Sequence, residues 1–152
     1  MAVTGALALR DALAGRVRRI PGMREASGVL GPEFEPKQVV DRSFTVFLGA
    51  EGDAGGRTRT DGSLFVLREF SIRLCHKLNA ARNAAALGQA YADADDVKKI
   101  VLGHVEDAYV ECEPHTAFLG LAEPELLGGG TFLLTILRFR TRYRMTIEPL
   151  PG

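Results

Sequence analysis

Cysteine is scarce in this chain. Only Cys75 and Cys112 occur, too few for the disulfide scaffold of a small secreted domain and consistent with synthesis in a reducing compartment. Excess charge is missing as well. The 19 Lys plus Arg balance 19 Asp plus Glu, and a formal net charge of zero argues against a dedicated nucleic-acid binder with a wholly cationic surface. No stretch approaches the roughly 18 apolar residues that span a bilayer. The N-terminus places Arg10 and Asp11 in an alanine-rich amphipathic segment and lacks the basic start and apolar run of a secretory signal. These absences lead us to expect a soluble protein made in the cytosol, with no membrane partner.

Motifs that carry chemistry are missing too. The glycine-rich run Gly49-Ala-Glu-Gly-Asp-Ala-Gly-Gly-Arg57 has neither the Lys-Ser/Thr ending of a P-loop nor spaced glycines opening a helix. Cys75, His76, His104, Cys112 and His115 contain no ligand pair at zinc spacing. Asp93, Asp95 and Asp96 match a calcium loop for three residues only, without its later glycine and bidentate glutamate, and read better as a helix N-terminus. No Ser, Cys or Thr sits in a nucleophile motif, and Glu123 and Glu125 lie in a proline-containing turn that reads as surface. We therefore expect no enzyme activity, metal or cofactor.

The chain does have the material for one core. Its 152 residues, 46% hydrophobic and 25% charged, suit a single α+β domain over 1–152. Leu9, Leu13 and Val17 recur at helical spacing, so the segment from Thr4 to about Arg18 reads as a helix with Thr4 as N-cap. Pro21 to Lys37 reads as an irregular connection, and Val39 to Leu48, with Phe44 to Leu48 at its heart, as a strand. Gly49 to Gly62 reads as a long flexible hairpin loop, beyond which Ser63 to Leu78 alternates as a strand, with Phe70, Ile72 and Leu74 on one face. Asn79 to Tyr91 is a weaker helical stretch. Asp93 or Asp95 then caps a firmer helix whose apolar face carries Val97, Ile100, Val101, His104, Val105 and Ala108. Tyr109 to Leu121 reads as extended, and a turn around Pro124 and Gly128 to Gly130 leads to a last strand from about Thr131 to Ile147. The expected fold is α+β, with an antiparallel four-stranded sheet of two hairpins packed by an N-terminal helix and a central helix.

The last strand carries the least ordinary pattern. Arg138, Arg140, Arg142 and Arg144 stand at every second position, between Phe139, Thr141, Tyr143 and Met145, which places them on one sheet face. Guanidinium groups less than about 7 Å apart along a strand repel one another unless something negative faces them. Glu69 is a candidate cross-strand partner, whereas Arg73 and Lys77, on the polar face of the preceding strand, add to the row if the strands are neighbours. The segment from Tyr91 to Asp107, with Asp93, Asp95, Asp96, Glu106 and Asp107, is correspondingly acidic. That asymmetry suits contacts between copies or with a charged partner.

The order of a helix, a hairpin with a long polar loop, a helix at Asp95 to Ala108 and a closing strand with Leu137-Arg-Phe-Arg-Thr-Arg-Tyr-Arg144 resembles the tail terminator and minor tail proteins of long-tailed bacteriophages and phage-like particles. The proline-containing segment from Pro21 to Lys37 departs from that pattern by its length. The resemblance implies a virion protein of the tail or neck, assembled in the host cytoplasm. It implies a homohexameric ring that caps the tail-tube protein, meets the head connector and lets DNA through without reading it. On this basis the expected interface residues are Arg73, Arg138, Arg140, Arg142 and Arg144, with Asp53, Arg57 and Arg59 in the loop and Asp95 and Asp96 on the helix. Two alternatives stay open: a head-completion or tail-joining neck protein, and a small module that binds nucleic acid or an acidic protein through the arginine strand.

Overall fold

The structure, a computed structural model, describes residues 3–27, 40–53, 63–79 and 83–146. The elements run α1 (Ala6–Val17), β1 (Arg24–Glu25), β2 (Ser43–Asp53), β3 (Ser63–Lys77), α2 (Asn83–Leu102), two short 3-10 turns (Ala108–Glu111 and Glu113–His115), β4 (Ala117–Leu121), β5 (Glu125–Leu127) and β6 (Phe132–Thr146). The class is α+β. The sheet is larger than the sequence suggested: six strands in the order β1-β2-β3-β6-β4, with β5 also on β6.

The two additional strands are short and owe their existence to long neighbours. β6 has 15 residues and β4 only five, so β4 covers Leu137 to Arg140 while β5 pairs along Phe132 to Leu134. β1 follows the turn at Pro21 and Gly22 and lies parallel to the start of β2, opposite Ser43 and Phe44, which makes the sheet mixed. The expected purely antiparallel arrangement holds for the remaining pairs.

β3 and β6 are paired without a break over 15 residues each, from Ser63 opposite Thr146 to Lys77 opposite Phe132. Opposite residues share a face. Phe44, Val46, Phe70, Ile72, Leu74, Leu137, Phe139 and Tyr143 therefore point together into a buried cluster with Leu9, Leu13 and Val17 of α1 and Ala94, Val97 and Val101 of α2. Phe70 and Phe139 stack across the strands, with ring centroids 5.2 Å apart. Full burial of each such side chain contributes on the order of 1.5–3 kcal/mol, so this face anchors the fold. Met145 shares the parity of the buried set but is exposed near the end of the ribbon.

Several boundaries differ from those read in the sequence. Thr4 does not cap α1. Gly5 occupies the cap position without a side-chain bond, and its carbonyl accepts from Leu9. The weak and firm helical stretches are one helix beginning at Asn83, so Asp93 lies in the interior of α2 and does not cap it. α2 stops at Leu102 because Gly103 follows, where a Cβ would lie 2.5 Å from the Lys99 carbonyl oxygen. His104 is consequently exposed and off the helix. The expected extended segment from Tyr109 to Leu121 is strand only from Ala117, since Asp107 accepts from the Tyr109 amide and starts a 3-10 turn. β2 continues through Gly49 to Asp53 opposite β3, with an irregularity between Leu48 and Glu51, so the loop is shorter than 49–62. Its remaining residues, with Arg57 and Arg59, lie outside the described residues, as does Ile147. No described helix is long and apolar enough to cross a membrane.

Candidate partner-binding face

The helices cover one face of the sheet, and the arginine row lies on the other. Arg138, Arg140 and Arg144 are exposed and Arg142 is half-buried. The intervening Leu137, Phe139, Thr141 and Tyr143 are buried, as the period of two requires. Because β3 is the direct neighbour of β6, Phe65, Leu67, Glu69 and Ser71 stand opposite the four arginines, and Arg73 stands opposite Ile136 on the same face. Lys77 is at the far end, opposite Phe132.

The members of the row differ in what holds them. Arg142 lies over the Phe65 ring at 4.6 Å and donates to His115 Nε2 at 3.2 Å. Arg73 lies over the Phe47 ring at 4.4 Å. Glu69 faces Arg140 in register but forms no ion pair with it, and among the described residues Arg138 and Arg140 have no hydrogen-bond or ion-pair partner. Beside them is a shallow depression of about 200 Å3 lined by Phe47, Gly49, Glu69, Arg73, Ile136 and Arg138 among others. Farther along the same face, Cys75, Phe132 and Leu134 form a second small apolar cluster with Ala26, Leu127 and Ile136 around them.

The acidic segment is mostly consumed inside the molecule. Asp93 is fully buried and accepts from Arg42 Nη2 at 2.8 Å, Arg42 Nε at 3.0 Å and Gln89 Nε2 at 2.9 Å, with His76 Nε2 at 2.7 Å. Burial works against its charge most strongly, yet Arg42, His76 and Gln89 together hold its carboxyl below the usual aspartate value. Arg42 has a φ of 56°, and Gly22, at φ 80°, leaves room for its guanidinium, since a Cβ on Gly22 would lie 2.2 Å from Nη1. Asp107 is bound to the buried Arg16, Asp95 to Lys98 at 3.0 Å, and Glu106 to His104 at 3.0 Å. Only Asp96 of the five is exposed without a hydrogen bond or ion pair among the described residues, although its charge acts on Arg42.

Arg16 organises the second internal network. It is 0% exposed, stacks 4.8 Å from the Tyr109 ring centroid, and donates to both Asp107 oxygens at 2.9 Å and to Glu113. It also donates to the carbonyls of Ile100, Gly103 and Val105 at 3.1 Å, thereby satisfying groups at the C-terminus of α2 that the helix itself leaves unpaired. Burial opposes its charge most, but Asp107 and Glu113 outweigh that and raise its pKa. Glu113 is held down at about 2: burial pushes it up, and the Val105 amide, Arg16 and His104 more than reverse this. His104 is raised by its bonds to Glu113 and Glu106. Cys75 and Cys112 are both free buried thiols, each pushed up to about 12 by burial.

No protein-family description matches the chain. No characterised protein matches it in sequence. Among solved structures, a chain described as "Virion of native gene transfer agent (GTA) particle" matches with 18% identity, covering 88% of this chain and 92% of that one, at a TM-score of 0.47. A likeness at that level identifies neither a shared fold nor a shared role.

The expected site residues thus separate into groups. β6 and β3 bring Arg73, Arg138, Arg140, Arg142 and Arg144 onto one face. Asp53 lies at the end of β2 opposite Val66, while Asp95 and Asp96 are on exposed positions of α2. Arg16 and the pair His76 and Asp93 were not singled out in the sequence as internal ion-pair members. A signal for both existed, since Arg16 falls on the Leu9, Leu13, Val17 face of α1 and His76 continues the Phe70, Ile72, Leu74 face of β3. A charged or polar group at such a position needs a buried partner. Among the described residues no cluster of His, Cys, Asp and Glu could hold a metal ion.

Proposed function

We propose that this protein is a structural subunit of a phage-like particle, of the tail-terminator kind, and acts as a ring at the end of the tail tube. The observation that supports this most is the arginine row on the sheet face opposite α1 and α2, with Arg138 and Arg140 exposed and without a hydrogen-bond or ion-pair partner among the described residues. A folded domain that holds exposed like charges on a rigid sheet leaves their neutralisation to another molecule. The order α1, β2–β3, α2, β6 is also the order on which the resemblance rests. In this reading the face meets a neighbouring subunit or ring, the particle is the place of action, the tube protein and head connector are the partners, and DNA passes without being read.

The test is the mass of the purified chain by sedimentation over a range of concentrations, with negative-stain imaging of the product and of tails assembled in its presence. Closed rings, or rings formed on tube ends, are expected. A strict monomer that never joins a tail refutes the reading. The same unpartnered arginines favour a second reading, a monomeric module that grips phosphates. It requires binding of duplex DNA by the monomer with a steep loss of affinity as salt rises.

A further inference from the structure

Beyond the end of α2 the carbonyls of Gly103 and Val105 are held from inside by the buried Arg16. The outer side of the same segment is held by one imidazole. His104 Nδ1 lies 2.9 Å from Glu113 Oε2, and Nε2 lies 3.0 Å from Glu106 Oε1, so both ring nitrogens face carboxylate oxygens. A neutral imidazole has one N–H and one lone pair, so it donates to one of these acids and aims its lone pair at the other. The imidazolium donates to both. The arrangement therefore fits the charged ring, and the bonds to Glu113 first and Glu106 second strengthen its hold on the proton.

The two acids differ in depth. Glu106 is 89% exposed, whereas Glu113 is 12% exposed and gives its other oxygen, Oε1, to Arg16 and to the Val105 amide. His104 thus ties a solvated carboxylate to the one that anchors Arg16. Between them the backbone is held by the Val105 amide on Glu113 at 2.8 Å and the Asp107 amide on the Val105 carbonyl at 3.0 Å. His104 and Val105 also form one wall of a groove of about 360 Å3 whose apolar lining includes Ile20 and Ile100. The other charges around the imidazole are Arg19 beyond α1 and Asp96 and Lys99 of α2, which line the same groove, with Arg16 and Asp107 behind Glu113. The two directly bonded carboxylates dominate among them.

We propose that His104 is a proton-operated latch: charged, it ties Glu106 to Glu113 and keeps segment 103–107 closed as the wall of the groove between α1 and α2; neutral, it releases one acid and the segment opens. The folded ring holds its proton above the ordinary value of 6.5, so the latch is fully shut below about 6.5 and is lost as pH rises through the folded value. Arg16 keeps Asp107 and Glu113 in both states, so the opening is local. The latch is independent of the ring reading.

Amide exchange in the full chain tests it, followed residue by residue by NMR from about pH 5.5 to 8.5 and corrected for intrinsic rates. Protection of the Val105 and Asp107 amides is expected to fall about two- to fivefold as the His104 ring titrates, with the ring Cε1–H resonance read in the same samples. His104→Arg keeps a permanent cation able to reach both acids and should hold protection at its low-pH level throughout. His104→Gln carries no charge and should hold it at the released level at every pH. Glu106→Gln removes the exposed acid alone and should move the His104 titration to lower pH. His104 and Glu106 are exposed, so these variants should unfold close to the parent's midpoint. A His104 titration at or below about 6.5, a parent profile that stays flat after correction, or a His104→Gln variant that keeps the parent's pH dependence each overturns the latch. Loss of protection spread equally over β3 and β6 overturns it too, because that is loosening of the whole fold and not release of one segment.

Discussion

Replacing Arg16 by Met tests whether a buried guanidinium holds the helical layer closed. Methionine keeps much of the stem volume and removes the charge, leaving Asp107 without its counter-ion, Glu113 with His104 alone for a cationic partner among the described residues, and the carbonyls of Ile100 and Gly103 without the guanidinium donor. Breaking a buried pair by deleting one partner costs about 3–5 kcal/mol. The two carboxylates keep 19% and 12% side-chain exposure, so water recovers part of their solvation and the lower end applies, about 3 kcal/mol. Against a urea slope of roughly 2 kcal/mol per molar, the unfolding midpoint should fall by about 1.5 M.

The pH dependence has a definite sign. Glu113 titrates at about 2 in the folded chain against an ordinary 4.5, so its stabilisation is complete above about 4.5 and is lost as pH falls toward 2. In the Met variant Arg16 no longer holds Glu113 down, and less stability remains to be lost on acidification. The gap between parent and variant should therefore be widest near pH 7 and narrow below about 4.5. Urea unfolding followed by far-UV circular dichroism at pH 7, 5 and 3.5 measures both quantities. A midpoint shift below about 0.3 M, or a gap constant across that range, would refute the role given to Arg16.

Further outcomes can be checked on the same protein. Arg140→Glu together with Arg142→Glu should keep the fold while lowering the unfolding midpoint modestly, since Arg142 gives up Phe65 and His115, and should impair ring formation or tail joining; normal assembly would remove the partner role from the row. Replacing Asp53 to Thr60 by a short linker should spare folding and reduce engagement with a neighbouring ring, which tail completion in the variant's presence measures. Gly22→Ala should destabilise by about 1–3 kcal/mol, because Ala is strained at positive φ and its Cβ meets the Arg42 guanidinium that Asp93 fixes. Gly129→Ala serves as its control: φ there is 69° with open space around the position, so only the backbone cost of about 1 kcal/mol is expected.

What could be read from the sequence is what a local period encodes. The α1 face of Leu9, Leu13 and Val17, the alternation of β3 and the single-sided arginines of β6 all follow from spacing alone. β1 and β5, with two and three residues, have no period to read and form because long neighbours leave edges unpaired. The join of two helical stretches at Asp93 was hidden because its carboxylate resembles a cap, and only the fold brings Arg42 and His76 to it. The place of Arg16 on the apolar face of α1 was legible but its partner was not, since Asp107 lies 91 residues away. For the candidate site, the arginines were visible in the sequence. Most of the acids near α2 looked available until the fold paired them internally.

The position of β6 in the chain also sets the order in which the sheet can be made. β3, β4 and β5 all pair with β6, and β6 follows every one of them in sequence. Until β6 leaves the ribosome, β4 and β5 have no sheet to join, and the whole β6-facing edge of β3 stays open. Closure then depends on contacts between distant segments, which is slow and exposes apolar edges to other chains meanwhile. A nascent chain stalled before Phe132 should thus retain the α1 and β2–β3 part at most and be prone to aggregate, whereas one stalled after Thr146 has emerged can close.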